Sequence, residues 1–552
     1  MPHATLPSPG LQALVFCGPG LSLNTFTSSP SDFPKALIPI ANRPMVWYPL
    51  DWCYRCGITN IIIITPPESV EPLQGAFATH PALTSLPNPK PEIIAPKGLE
   101  QTSGTGDVLR CKEVLDVIDG DFVVLPCDLV SELDGSHLVQ QWLTLNSSNA
   151  GRKGGLVVYY PTYGLEGISN KKDETDFVVT AALPPPAVSP AQASLRPYIE
   201  QAMIAMPTDT LNDTLEDNKQ HLPLRHLLLQ RHGRVKMRTK HRDAHVYIFP
   251  RWVKDFVATN ERFDSISEDV LGWWAKAGWQ EGLAEKLGLS EILSDNRPAD
   301  DDINGSSSLD EIDPSTLSST MSAPPVQPPS TFATRVGTSM PSPPKPVTVP
   351  PLLAYIQPSP SPLIRRVDTA PLLSSISLYL ARQPSTRPLT YEHKIHPSAT
   401  IGQQSRVSQE DSLIGENVKV GTRCSVKESV IGANCEIGNN VRIFKSVLMD
   451  GCVVGDGVQL TGCIVGRRAR IEGVKTAEAE PADETAEKPK RRKGGADDDE
   501  ERTKLTDCEV APSFVVEAGT EAKGETLKAF DADDMGDLDD DEDEGGGGDI
   551  NL

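Results

Sequence analysis

The chain has no excess of positive charge. It carries 75 Asp and Glu against 52 Lys and Arg, a formal net charge of −23. That balance argues against a nucleic-acid-binding body, so no direct nucleic-acid partner is expected. No stretch is apolar enough to span a bilayer, so no membrane partner is expected either. The start, Met1-Pro2-His3-Ala4, lacks the basic and apolar regions of a signal peptide. Ten cysteines are scattered without a disulfide-like framework. Cys53 and Cys56 form a lone CxxC in a helical segment, with no second CxxC and no His pair nearby. Zinc is therefore not expected, and buried reduced thiols are. These absences describe a soluble protein of a reducing compartment, the cytoplasm or cytosol.

Charge and composition divide the chain. Residues 11–288 alternate strand-like and helix-like segments. Residues 289–350 are rich in Pro, Ser, Thr and Asp and read as a disordered linker. A more apolar stretch, 351–390, is expected to be a partly ordered connector that packs on the next domain. Residues 474–503 form a charged insert with Lys488-Pro489-Lys490-Arg491-Arg492-Lys493 beside an acidic run at 497–501. It reads as a solvated loop, with a nuclear-localisation signal or nucleic-acid patch as the other reading of the basic cluster. Residues 526–552 are an acidic, disordered tail; docking on a basic partner is its alternative reading.

The first region predicts an α/β fold. Ile61-Ile62-Ile63-Ile64 is a continuous apolar run of a strand buried on both faces. Phe122-Val123-Val124-Leu125, Leu156-Val157-Val158-Tyr159 and Val246-Tyr247-Ile248-Phe249 read the same way. Helical patterns over 45–56 and 106–115 fall between them, so a largely parallel sheet is expected. In such sheets ligands bind at the carboxyl ends of strands. Gly18 and Asp128 both sit there.

Residues 391–473 repeat with a period of 17. Ile414, Val420 and Val426 recur as Ile431, Ile437 and Ile443, then as Leu448, Val454 and Leu460. The steps are six, six and five. Three inward aliphatics per period predict a three-sided coil of short parallel strands, a left-handed parallel β-helix of hexapeptide repeats. Gly421, Gly438 and Gly455 should stack at its corners, where a side chain would crowd the turn. Cys508-Glu509-Val510 and Val516 resume the step, so 504–525 is read as a last coil beyond the insert.

One loop carries nucleotide chemistry in damaged form. Leu14-Val15-Phe16-Cys17 leads into Gly18-Pro19-Gly20-Leu21-Ser22, and Pro34-Lys35-Ala36-Leu37 follows. A strand, a glycine turn and a lysine suit a triphosphate, because backbone N–H groups approach it closely and lysine adds charge. Yet the turn carries no arginine, and Pro19 has no N–H to offer. Asp128 reads equally as a loop cap or a metal ligand. Lys35, without an arginine partner, reads more readily as a surface-loop lysine.

Together the two regions resemble sugar-phosphate nucleotidyltransferases. In that family the loop reads roughly Gly-Gly-x-Gly-Ser/Thr-Arg, with Pro-Lys-Pro-Leu downstream and a strand-end aspartate that binds magnesium. The resemblance places Gly18, Gly20 and Lys35 on family positions and Ser22 at the arginine position. It sets Gly104-Thr105 on the base-contacting segment and Asp128 on the metal aspartate. His245 falls where the family's sugar-site strand has glycine. A lost charged phosphate contact is worth about 1.5–3 kcal/mol in binding, and a lost transition-state donor around 10²–10³ in rate. No catalytic residue and no metal site is therefore expected, and Gly18, Gly20, Ser22, Lys35, Gly104, Thr105, Asp128 and His245 are read as a vestigial nucleotide pocket. No cofactor is expected beyond residual nucleotide or Mg binding.

The departures are similar to a narrower set, the gamma-type subunits of translation initiation factor 2B. Trp47-Tyr48-Pro49-Leu50, Cys127-Asp128-Leu129, Asp243-Ala244-His245-Val246-Tyr247 and the paired Leu413-Ile414-Gly415 and Val430-Ile431-Gly432 carry this likeness. It implies a non-catalytic subunit of a guanine nucleotide exchange factor. The expected partners are an epsilon subunit, then alpha, beta and delta subunits in a two-fold heterodecamer, with initiation factor 2 as substrate. No amphipathic helical array follows residue 520, which fits gamma rather than epsilon. The alternatives are a mannose-1-phosphate guanylyltransferase-like enzyme and a nucleotide-sensing regulator.

Overall fold

Apolar runs build the central sheet of this computed structural model, which describes residues 8–99, 102–147, 153–168, 174–186, 188–192, 194–295, 348–387, 389–473 and 502–529. The strands are β1 (Gln12–Phe16), β2 (Asn60–Ile64), β3 (Glu92–Ile94), β4 (Phe122–Pro126) and β5 (Gly155–Pro161). They continue as β6 (Asp176–Ala181), β7 (Ile199–Pro207), β8 (Val235–Phe249) and β9 (Leu352–Ile356). Their spatial order is β3-β2-β1-β4-β8-β5-β9-β7-β6.

The sheet is mixed rather than largely parallel. β1, β2, β3 and β4 run parallel to one another, but β8 is antiparallel to β4, β5 and β6. β8 is a 15-residue strand. Its buried C-terminal half enters the sheet centre, and its more exposed N-terminal half pairs with β6.

The connector expected at 351–390 is instead part of this domain. Leu352-Leu353-Ala354-Tyr355-Ile356 is wholly buried. It lies parallel to β5 and antiparallel to β7, as an interior strand. Ile364–Arg366 then pairs antiparallel with Leu129–Ser131. The domain also runs past the expected boundary at 288: Leu289–Asp295 is helical, and Leu289 and Leu293 are in the core.

Helices cover both faces. α1 (Trp47–Arg55) and α3 (Ala370–Arg382) pack on one apolar layer. α2 (Thr105–Arg110) and the segments Trp252–Thr259 and Leu271–Ala277 pack on the other. The helix expected over 106–115 breaks in two at Cys111, whose ψ of 134° is extended.

The C-terminal region is a β-helix of three six-stranded parallel sheets. Ile414, Val420 and Val426 and their 17-residue successors are all buried. Rows across the gap at 474–501 stay in register, with Lys504–Thr506 paired to Gln459–Thr461. The coil runs past its expected end at 525, with Thr526–Leu527 paired to Glu509–Val510, so the tail cannot begin at 526. The insert's charged runs and residues 530–552 lie outside the described residues. The corner glycines have a steric cause. A Cβ on Gly421 would stand 2.4 Å from the Gly438 carbonyl oxygen, and one on Gly438 would stand 2.4 Å from Asp456 Oδ1. Asn417, Asn434, Gly451 and Arg468 form another column, all with φ between 54° and 72°.

α3 seats the β-helix against the α/β domain. Leu373 and Ile376 share an apolar cluster with Leu413, Val430 and Val447. Asn42 Nδ2 donates to the Ile431 carbonyl at 2.8 Å. The Arg43 guanidinium lies between the rings of Trp47 and Tyr391, 4.2 and 4.1 Å from their centroids.

Candidate functional site

β1 and β4 end side by side, and a cavity of about 310 Å³ opens beyond them. Cys17 and Gly18 come from the end of β1, and Cys127 and Asp128 from the end of β4. Ile64, Pro66 and Val108 supply apolar walls. Lys35, Thr105, His245 and Arg366 add polar groups to the lining, together with Thr65, Glu68 and Ser103.

Of the expected residues, the structure brings together Gly18, Lys35, Thr105, Asp128 and His245. Ser22 does not join them; it is exposed in the short turn Leu21–Leu23. Gly20 lies behind the wall with φ +87°, and a Cβ there would meet Lys35 Cβ at 3.0 Å. Gly104 is also outside the lining. Its hydrogen atoms allow close approach to the chain at Asp264, whose carbonyl oxygen would stand 2.0 Å from an added Cβ. Thr105 faces the cavity, but its hydroxyl accepts from the Ile266 N–H at 3.0 Å.

Lys35 is not a surface lysine. Its Nζ donates to Asp128 Oδ2 at 2.8 Å, with only 11% of its side chain exposed. Asp128 is neither loop cap nor free ligand. Its second oxygen, Oδ1, faces Arg366 Nε at 3.5 Å. Burial alone would raise the Asp128 pKa; Lys35, then Arg366, overcome this and hold the carboxyl well below the usual carboxylate range. The charge on Asp128 is thus fixed between two cations.

Arg366 is the residue that sequence reasoning missed. It sits at the end of the short strand Ile364–Arg366, which the pairing with Leu129–Ser131 delivers beside Asp128. Its Nη1 lies 3.0 Å from His245 Nε2, so the ring accepts there from the guanidinium. The available signal was the run Leu352–Ile356, which has the unbroken apolar character of an interior strand.

His245 occupies a position with glycine-like geometry. Its φ is +52°, in the left-handed region that costs an L-residue about 1–2 kcal/mol. A register shift between Asp243 and Tyr247 in β8 creates the bend. The Asp243 carboxylate accepts the His245 N–H at 2.8 Å and the Tyr247 hydroxyl at 2.8 Å. Burial, followed by the charge of Arg366, pushes the His245 pKa well down, so the ring is neutral. Burial, followed by nearby Asp176, pushes Asp243 up to about 7.

The nucleotidyltransferase likeness implies magnesium at Asp128, and the residues present do not fit it. A divalent ion would have to displace Lys35 from Oδ2 and sit against the Arg366 guanidinium that faces Oδ1. No group of three or more His, Cys, Asp or Glu side chains suited to a metal occurs among the described residues. The arrangement fixes two cations around one buried carboxylate beside an apolar slot. No helix among the described residues is long and apolar enough to cross a membrane.

Comparison with known proteins agrees with the two-part architecture. The eIF2B subunit epsilon LbH domain family matches residues 391–480. The chain is similar to the translation initiation factor eIF2B subunit gamma of Schizosaccharomyces pombe, with 28% identity over 301 residues. The match covers 54% of this chain, which spans 58% of the length of that curated relative.

Proposed function

We propose that this eIF2B-gamma-like chain is a non-catalytic subunit of the translation initiation factor 2B complex. It supports exchange of GDP for GTP on initiation factor 2, together with an epsilon subunit. Alpha, beta and delta subunits complete a two-fold heterodecamer, and the setting is cytosolic. The likeness to eIF2B gamma supports the family side of this reading. The observation that carries its non-catalytic side is the Lys35–Asp128–Arg366 arrangement, in which the carboxylate that would bind a metal is bonded to Lys35 through Oδ2 and faces the Arg366 guanidinium through Oδ1. His245 adds bulk where the sugar-site strand bends. Exchange of a nucleotide on another protein needs no bond made or broken in this pocket. The β-helix supplies flat faces and strand ends suited to assembly.

Affinity purification of the native chain tests this, with identification of what co-purifies. The other factor 2B subunits are expected in constant ratio, and their absence sinks the proposal. A parallel assay of pyrophosphate release from GTP with hexose 1-phosphates should show no turnover; robust turnover would establish the transferase alternative.

A further inference from the structure

The floor of the cavity holds two thiols that the proposed function does not use. Phe16 of β1 pairs with Pro126 of β4 in parallel register, so Cys17 and Cys127 stand one step further along the two chains. The Cys127 N–H donates to the Phe16 carbonyl at 2.9 Å, which continues the ladder to that point. Neighbouring strands lie about 4.7–4.9 Å apart, within the roughly 4.4–6.8 Å between Cα atoms that a disulfide spans. Both side chains line the same cavity and belong to one apolar cluster, so they project to the same face. Lys35 and Arg366 line that cavity too.

Other cysteines lack this setting. Cys435 and Cys452 stack inside the β-helix, where their sulfurs donate to the carbonyls of Met449 and Gly466 at 3.2 and 3.1 Å. Cys53 lies in α1 and Cys56 caps it; like Cys17 and Cys127 they are buried, but neither lines the cavity. A cavity-facing position beside cations such as Lys35 and Arg366 favours a reactive thiolate.

We propose that Cys17 and Cys127 form a peroxide-oxidisable dithiol, with Cys127 as the attacking sulfur and Cys17 as the resolving one. This is independent of the assignment to an exchange factor. The Cys127 thiolate attacks one oxygen of hydrogen peroxide and the O–O bond breaks. The departing hydroxide takes up the proton released by Cys127 and leaves as water, and Cys127 becomes a sulfenic acid. The Cys17 sulfur then attacks the sulfenic sulfur and the S–O bond breaks. Hydroxide leaves with the Cys17 proton as a second water. Two thiols and one peroxide thus give one disulfide and two waters. The division of roles follows position: Cys127 directly precedes Asp128, whose carboxylate draws in both Lys35 and Arg366, so Cys127 is the thiol beside the two cations. A disulfide here would tie together the strand ends that carry Gly18 and Asp128.

The test uses the full-length folded chain, treated with hydrogen peroxide and then denatured in iodoacetamide. Non-reducing digestion and mass spectrometry should find a Cys17–Cys127 linked peptide, two hydrogens lighter than its parts. Both thiols should be lost together while Cys53 and Cys56 remain alkylated. In Cys17→Ala the linked peptide should vanish, and dimedone should trap Cys127 as the sulfenic acid. The wild-type linkage stands as a readout even if that variant folds poorly. The proposal is overturned if the partly exposed Cys111 oxidises while Cys17 and Cys127 stay free, or if the two are lost without a linked peptide.

Discussion

Removing the Asp128 carboxylate alone should damage the fold more than removing the whole charged cluster. Asp128 is 2% exposed, and its cations Lys35 and Arg366 are 11% and 16% exposed. Asp128→Ala leaves the Lys35 ammonium without its partner and the Arg366 guanidinium with only Asp368, at 3.8 Å, as a counter-ion. Breaking a buried ion pair in this way costs about 3–5 kcal/mol. The triple replacement Lys35→Met, Asp128→Leu, Arg366→Met leaves no charge unpaired, and apolar exchange of buried pairs is commonly neutral or stabilising by about 1–4 kcal/mol. All seven tryptophans lie between Trp47 and Trp279, so urea denaturation followed by tryptophan fluorescence reports on the α/β domain. The pH dependence supplies a second check. The folded Asp128 pKa is depressed, so its stabilisation is present above the unfolded value of about 3.9 and lost as pH falls through the folded pKa. Asp128→Ala should remove that acid-side loss. A cost near 1 kcal/mol or less at pH 7 would refute the reasoning, since that is the worth of a solvated surface pair.

Asp243 should act in the opposite sense. Its folded pKa is raised to about 7, so its favourable contribution is full below about 3.9 and lost as pH rises through 7, at up to about 1.4 kcal/mol per pH unit. Asp243→Asn should flatten denaturation midpoints measured between pH 4 and 7; an unchanged slope would refute this. In the β-helix, Gly438→Ala should destabilise by about 1–3 kcal/mol, because the new methyl meets Asp456 Oδ1 at 2.4 Å and its backbone N at 2.8 Å. Proteolysis of the β-helix core should speed up accordingly. By contrast, Gly75→Ala lies in the helix Val70–Thr79 with nothing within 4 Å of the added carbon. It should raise stability by about 0.4–1 kcal/mol in the same urea assay, and a loss would contradict the open surroundings.

Legibility followed the range over which each feature is encoded. The β-helix was readable because each aliphatic that must point inward recurs within one coil and again 17 residues later. Strand ends at Gly18 and Asp128 were readable because apolar runs stop beside them. The mixed sheet was harder. Val246 to Phe249 is equally apolar in a parallel or an antiparallel strand, so composition could not tell the direction of β8. Leu352–Ile356 falls in a stretch read as a connector that packs on the next domain, although its own residues have the pattern of an interior strand.

From the sequence alone came the two-part architecture, the hexapeptide coil, and a nucleotide loop without its arginine. These depend on local periodicity and on residue identity. Tertiary structure decided the state of the site. It removed Gly20, Ser22 and Gly104 from the cavity, buried Lys35, and bent β8 so that His245 takes a left-handed conformation. It also carried Arg366 from a distant segment to the open side of Asp128. Charge pairing depends on distance in space, and the strand pairing that closes that distance joins residues far apart in the chain.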